Sequence, residues 1–379
     1  MATESFLPRS NGVTNSVIKS SSNLKRMGHE VLILAPGKGP LSVDGIKVER
    51  VPAIAINSLA QIDLSTIRTR EIVSKISKFQ PDIIHLASPF LLGDQVRRAA
   101  LITDTPTVAI YQTDVTGFAF HYGFNAISNF AERRIKKIHS QVNLTLAPSS
   151  QAKKYLVDMG IKNIEIWGRG VDNVQFNSNR RSTSLRATWG ADENTVVIGY
   201  VGRLAPEKRV ENLMALRDIG ALTGTTLKLI VVGDGPSRER LEKLLPGAIF
   251  TGHKQGNDLG STMASLDILI STGENETFCQ VIQEGFASGI PVIAPAVGGP
   301  VDLVSPEENG LLYHPGSLLE LRRSALKLIG DKQFRILCGK NGQEMVKLRS
   351  WQALTEKLVV HYQNVIENHK NKTNSEISA

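Results

Sequence analysis

Residues 268–284 read Ile-Leu-Ile-Ser-Thr-Gly-Glu-Asn-Glu-Thr-Phe-Cys-Gln-Val-Ile-Gln-Glu: a short apolar run, a polar turn, then the opening of an amphipathic segment. The run predicts a buried strand over Ile268–Ser271, and the residues after the turn predict a helix opened by Phe278, Cys279 and Gln280. A strand that feeds a helix through a tight turn is half of a crossover unit, which implies a parallel sheet. Glu276 and Glu284 are separated by seven residues, so Glu276 falls in the turn and Glu284 two turns into the helix, both near the strand's carboxyl end. That end is where open α/β sheets bind ligands. The first amides of the helix can bind phosphate, and the two carboxylates can accept hydrogen bonds from sugar and ribose hydroxyls. Taken alone, the pair also reads as two solvated glutamates.

The same alternation of short β-rich runs and longer helical patterns extends along the chain. Strands are expected at Val31–Ala35, Lys47–Val51, Ile83–Leu86, Thr107–Tyr111 and Leu144–Pro148, then at Thr195–Val201, Leu227–Val232, Ile249–Thr251 and Pro291–Ala294. With 379 residues the chain exceeds what one hydrophobic core usually serves. The polar stretch Asp172–Ser184 has no apolar period and reads as a linker, placing a boundary near residue 170. The expectation is an α/β protein of two doubly wound domains, 1–169 and 170–347. Residues 348–367 are expected as a helix returning to the first domain, and 368–379 as a disordered polar tail. A helix from Thr14 leads into the strand at Val31, yet only Met1–Phe6 is available for the strand that should precede it, so a truncated first strand is expected at Ala2–Ser5. On the same argument, the working protein is expected to begin several residues upstream.

Composition narrows the function. The net charge is +8, with a pI near 9.4, which favours anionic partners. No zinc-finger or RNP signature accompanies the charge, so nucleic acid is not expected as a partner. No apolar run approaches the ~20 residues of a spanning helix, and Met1–Pro8 lacks a basic region followed by an apolar stretch. The two cysteines, Cys279 and Cys338, imply no disulfide framework. A cytoplasmic, peripherally membrane-bound protein is expected. The segment Ala126–Gln141 spaces Ile127, Phe130, Ile135 and Ile138 as on one helix face, with Arg133, Arg134, Lys136 and Lys137 between them. Such a helix either docks on anionic lipid or packs into a core with its charges in water.

Three further segments carry chemistry. Gly199-Tyr-Val-Gly-Arg-Leu-Ala-Pro-Glu-Lys208 ends a strand and delivers two cations, the planar fork of Arg203 and the point charge of Lys208. The two suit a departing diphosphate and would stand in for a metal ion. Val231-Val-Gly-Asp-Gly-Pro236 is a Gly-rich turn after a strand, neither a P-loop nor a dinucleotide fingerprint. In Phe6-Leu-Pro-Arg-Ser-Asn-Gly12-Val, the glycine would let a backbone amide approach a ligand phosphate.

Together, Glu276-x7-Glu284, Gly202-Arg203 with Lys208, Gly233-Asp-Gly-Pro236, Ala287-Ser-Gly-Ile-Pro-Val292 and Asn309-Gly-Leu-Leu-Tyr313 resemble, in order, the large retaining family of GT-B glycosyltransferases (family 4, group 1). The resemblance runs from about Thr3 to Trp351. Tyr111-Gln-Thr-Asp-Val115, Trp167-Gly-Arg-Gly-Val-Asp172 and Phe278-x-Gln-x-x-Gln-Glu284 look most like actinobacterial GDP-mannose-dependent α-mannosyltransferases that act on a glucuronosyl diacylglycerol. The resemblance implies two Rossmann-like domains facing each other across a cleft, a nucleotide-sugar donor (GDP-mannose), a lipid-linked acceptor at an anionic membrane, and neither cofactor nor metal. It implies Arg203 and Lys208 at the diphosphate, Glu284 at the ribose, Glu276 at the transferred sugar, and the amides of Phe278, Cys279 and Gln280 beside it. His253 and Lys254 join the nucleotide-binding set, and Gly12 touches the phosphates from the first domain.

Two departures are visible. Gln112 stands where many relatives carry a histidine and cannot act as a general base, which leaves Asp114 or His121 to contact sugar or acceptor. Cys279 replaces a usual glycine, and because the amide is the working group there, no nucleophilic role is assigned to the thiol. UDP-glucose or UDP-sulfoquinovose as donor, phosphatidylinositol as acceptor, and a non-catalytic nucleotide-sugar-binding protein remain alternatives.

Overall fold

The computed structural model describes residues 1–9, 11–56, 62–87, 89–112 and 125–377. The chain divides into two units, Met1–Arg169 together with Trp351–Ala379, and Gly170–Ser350. The first unit holds β1 (Leu32–Pro36), β2 (Ser42–Val43), β3 (Ile46–Val51), β4 (Ala53–Ile56), β5 (Ile62–Ser65), β6 (Ile84–Leu86), β7 (Thr107–Ile110), β8 (Leu144–Ala147) and β9 (Ile164–Ile166). β1-β3-β2 and β6-β7-β8-β9 are joined through Ala2, which bridges Leu34 and Leu86 in parallel. The Ala2 amide donates to the His85 carbonyl at 2.8 Å, and Ala87 donates back to Ala2 at 2.8 Å. The short stretch expected at Ala2–Ser5 is thus a single bridging position, with β4 and β5 forming a separate antiparallel pair.

The second unit holds β10 (Val196–Val201), β11 (Leu227–Val232), β12 (Ile249–Gly252), β13 (Ile268–Ile270), β14 (Val292–Pro295) and β15 (Gly310–Tyr313). Their order across the sheet is β12-β11-β10-β13-β14-β15 and every pairing is parallel, which is the Rossmann order. The expectation of α/β, doubly wound domains is met in both units, each carrying a Rossmann-like sheet, parallel throughout in the second and parallel but for the short antiparallel β2 in the first. Alternating residues serve two cores. Val197, Leu269 and Val292 pack with Phe286 and Ile282, while Val196, Ile198, Ile268 and Ile270 pack with Leu321 and Leu328. Burial on both faces is why these strands read as continuous apolar runs rather than as alternation.

The last helix, Trp351–Ile377, belongs to the first unit. Trp351, Leu354, Leu358, Tyr362 and Val365 recur at helical spacing and pack on Leu24, Val108, Leu146 and Trp167, whose indole N–H donates to the Leu354 carbonyl at 2.8 Å. The expected disordered tail is corrected here: the helix continues to Ile377. Its polar end is held by one long-range contact, His369 with the Asp104 carbonyl at 3.0 Å, and one local bond, the Thr373 hydroxyl donating to the His369 carbonyl at 3.1 Å. The stretch Asp172–Ser184 is likewise a series of side-chain-capped turns, in which Asp172 caps Val174 and Gln175 and Ser182 caps the helix Thr183–Thr188.

Two histidines lie inside the first unit. His85 faces the Tyr362 hydroxyl and His139 the Thr145 hydroxyl, with 3% and 2% of their surface exposed. Burial pushes His139 down to about 4 and His85, which also feels the Met1 ammonium, down to about 3. Unfolded, both protonate near pH 6.5. The unfolded chain therefore binds more protons than the folded one between about pH 6.5 and 4, and stability drops as pH falls through that window. Each histidine contributes roughly 1.4 kcal/mol per pH unit there. The urea midpoint is expected to fall between pH 7 and pH 5, with a shallower fall for His139→Asn. Equal midpoints at the two pH values would contradict this account.

Candidate functional site

β10 and β13 are neighbours at the point where the strand order of the second sheet reverses, and ligands of such sheets bind beyond the carboxyl ends of that pair. Both marked segments leave from there. After β10 come Gly202, Arg203 and a 3-10 turn over Pro206–Lys208; after β13 come residues 271–279 and the helix Gln280–Ala287.

The structure brings Lys208 and Glu276 together. The ammonium donates to the carboxylate, and the two side chains remain 30% and 21% exposed. Burial pulls the Lys208 ammonium down, but the charge and hydrogen bond of Glu276 outweigh it and hold it above the usual lysine range. Arg203 lies nearby and open, with half its side chain exposed and Glu207 at 3.9 Å. Phe278 and Cys279 are buried. Cys279 takes a left-handed backbone, φ 67°, and no side chain caps the amides that open the helix. Burial, and then the Glu276 charge, pushes the Cys279 thiol up to about 12, so it stays protonated and is no nucleophile. Glu284 sits half-buried in the helix. His253 and Lys254 follow β12, beside the turn after β11, where the Gly233 amide donates to the Gly252 carbonyl at 2.9 Å.

Several residues of this site escaped the sequence reading. Arg209 pairs with Glu274 at 3.2 Å, and Glu274 also accepts from the Gly316 amide at 3.1 Å. Two consecutive cations thus meet two alternate glutamates. The Thr272 hydroxyl donates to the Lys208 carbonyl at 2.6 Å, and Gly299 donates its amide to the Glu276 carbonyl at 2.7 Å. A side chain at residue 299 would place its Cβ 2.3 Å from the Phe278 backbone, so only glycine lets the two loops lie this close. The signal available in the sequence was the Gly298-Gly299 pair and the Glu-x-Glu spacing, whose partner could not be named without the fold.

Gly12 belongs to the first unit and opens the helix Gly12–Arg26, where Asn11 caps the Val13 and Thr14 amides. The Arg169 guanidinium lies against it, 2.7 Å from where a Cβ would stand. Gln112 is buried, donating to the Ala87 carbonyl at 2.7 Å and accepting from Arg169 at 3.2 Å. Asp114 and His121 lie outside the described residues, as does the side chain of Ile127. In the helix Asn125–His139, Ile135 and Ile138 are buried in the unit, and Phe130 is exposed. Most of its described apolar stripe is therefore spent on packing, while Arg133, Lys136 and Lys137 face water. Among the described residues no group of three or more His, Cys, Asp or Glu side chains is placed to hold a metal ion, and no helix is long and apolar enough to cross a membrane.

Comparison with known proteins gives the same picture. The family described as Glycosyl transferases group 1 matches residues 182–345, and the one described as Glycosyltransferase Family 4 matches residues 10–174. The chain is 42% identical over 372 residues to a GDP-mannose-dependent alpha-mannosyltransferase of Mycolicibacterium smegmatis, covering 96% of each protein. It is 31% identical to a sulfoquinovosyl transferase of Arabidopsis thaliana, over 88% of this chain and 67% of that one. Among solved structures, HepE from Anabaena, crystallised with UDP, superimposes with a TM-score of 0.80 over 96% of this chain and 98% of its own, at 21% identity.

Proposed function

Since the chain belongs to the group 1, family 4 glycosyltransferases and is itself a glycosyltransferase of the GT-B class, we propose that it transfers mannose from GDP-mannose to a lipid-linked acceptor with retention of configuration. The observation that carries the donor assignment is the near-full-length likeness, 42% identity, to a GDP-mannose-dependent alpha-mannosyltransferase. The site supports it chemically. Arg203 and Lys208 hold the diphosphate, Glu284 the ribose, and Glu276 the hydroxyls of the mannose, with the Phe278–Gln280 amides beside them. His253 and Lys254 stand at the base.

In this reading the bond from the sugar's C1 to the leaving phosphate oxygen breaks on the face where the acceptor oxygen bonds. The acceptor's proton passes to the departing diphosphate. The charge that accumulates there is met by Arg203 and Lys208, which removes the need for a metal ion. Gln112, held at both ends of its amide, takes no proton. The net charge of +8 favours an anionic membrane surface as the place where a lipid acceptor is met.

The test offers radiolabelled GDP-mannose, UDP-glucose and UDP-sulfoquinovose to the enzyme with anionic vesicles carrying a membrane lipid extract. Label is expected in the lipid phase from GDP-mannose, at a rate EDTA leaves largely intact, with enzyme sedimenting on the vesicles at low salt. Transfer from UDP-sulfoquinovose instead would favour the reading suggested by the Arabidopsis relative. Transfer to water-soluble acceptors alone would remove the lipid.

A further inference from the structure

Lys208 is assigned to the donor's diphosphate and Glu276 to the donor's sugar, yet each already holds the other. We propose that the Lys208–Glu276 ion pair is a latch that the donor exchanges: the diphosphate takes Lys208, and only then is the Glu276 carboxylate free for the sugar's hydroxyls. The inference rests on reading this site as the donor site and adds to it an order of events.

Three observations carry it. The pair is within reach of a ligand, since neither side chain is fully covered. Both loops keep their backbones through other bonds. Thr272 holds the Lys208 carbonyl, Gly299 holds the Glu276 carbonyl, and the neighbouring Arg209–Glu274 pair ties residue 274 down. Opening the latch therefore costs one side-chain contact and no backbone rearrangement. Finally, Lys208 meets a carboxylate oxygen with the same charge-assisted bond that a phosphate oxygen would make, so the two compete for one ammonium.

The consequence differs for donor and product. A sugar nucleotide supplies hydroxyls to the released Glu276, whereas a nucleoside diphosphate takes Lys208 and leaves Glu276 with solvent alone. The latch thus weakens binding of the product nucleotide specifically, and its re-closure favours product release. Calorimetric titration of GDP, UDP and GDP-mannose into the wild type, Glu276→Gln, Glu276→Ser, Lys208→Ala and the Lys208→Ala/Glu276→Gln double variant tests this, with folding checked by thermal unfolding.

Loss of the carboxylate is expected to tighten GDP by about tenfold, to tighten GDP-mannose by clearly less, and to have no such effect once Lys208 is gone. Unchanged or weaker GDP binding in both Glu276 variants overturns the latch. So does equal tightening in the Lys208→Ala background, which would mean simple repulsion between carboxylate and phosphate. A wild type that prefers UDP to GDP overturns the GDP-mannose assignment but not the latch, which is then judged by the same ratios with UDP. Binding of neither nucleotide overturns both.

Discussion

Glu276→Ala and Lys208→Ala are each expected to lower the transfer rate by about 10²–10³-fold, the usual cost of removing one preorganised charged contact to a transition state, while the protein stays folded. The second half of that expectation follows from geometry. Both side chains are partly exposed, so truncating one leaves its partner hydrated rather than stranded in the core. The loop after β13 keeps the Gly299–Glu276 backbone bond and the Arg209–Glu274 pair in either variant. Single-turnover transfer of radiolabelled sugar, beside thermal unfolding, separates the two effects. Turnover at the wild-type rate in either variant would remove that residue from the site. A large loss of melting temperature would show instead that the pair is structural.

Gly233→Ala is expected to produce the largest stability loss of any single methyl added to the second unit. At φ +136° the residue occupies a region that side chains avoid, and the new Cβ would stand 1.8 Å from the Gly202 carbonyl oxygen. That oxygen is backbone and cannot swing aside. Gly202 is tied by its amide to the Val232 carbonyl at 2.9 Å, and the next residue is Arg203. Strain and overlap together should cost roughly 3 kcal/mol or more, a drop in melting temperature on the order of 10 °C, and the displaced Arg203 loop should lower transfer as well. Gly224→Ala is the control. Its φ is +62° but nothing lies within 4 Å of the added methyl, so only the backbone term of about 1 kcal/mol remains. Similar losses in the two variants would show that close packing of the turn after β11 on the Arg203 loop is unimportant.

The Gly233 result also bears on what could be read in advance. In the chain alone, Gly-Asp-Gly-Pro was an ordinary turn. In the fold, Gly233 and Gly235 lie against the backbone of Gly202 and Leu204, and the turn becomes the support of the segment that carries Arg203. The same holds for Gly298-Gly299, for Arg209 with Glu274, and for the helix Asn125–His139, whose Ile135 and Ile138 turn out to be core residues. For the glycines and Arg209 the partner lies more than twenty residues away and no local periodicity points to it, whereas for the helix the spacing was visible and the fold decided between its two readings.

By itself, the sequence determined the central strands of both sheets, because runs buried on both faces of a parallel sheet must be continuously apolar. The expected limits of the strands later seen as β10, β11, β13 and β14 differ from the observed ones by at most a residue or so. It likewise determined the family and the class of enzyme, since the five motifs occur together and in order over nearly the whole chain. The tertiary structure decided the rest. The edge strands β9 and β15 were not expected as strands, β9 having two of its three residues exposed, and they gain their place by pairing with β8 and β14. The polar end of the last helix extends a segment whose apolar face is paid for by burial in the first unit. And whether Lys208 faces water, phosphate or Glu276 depends on where two loops separated by 68 positions in the chain come to rest, which is a property of the sheet and of no stretch within it.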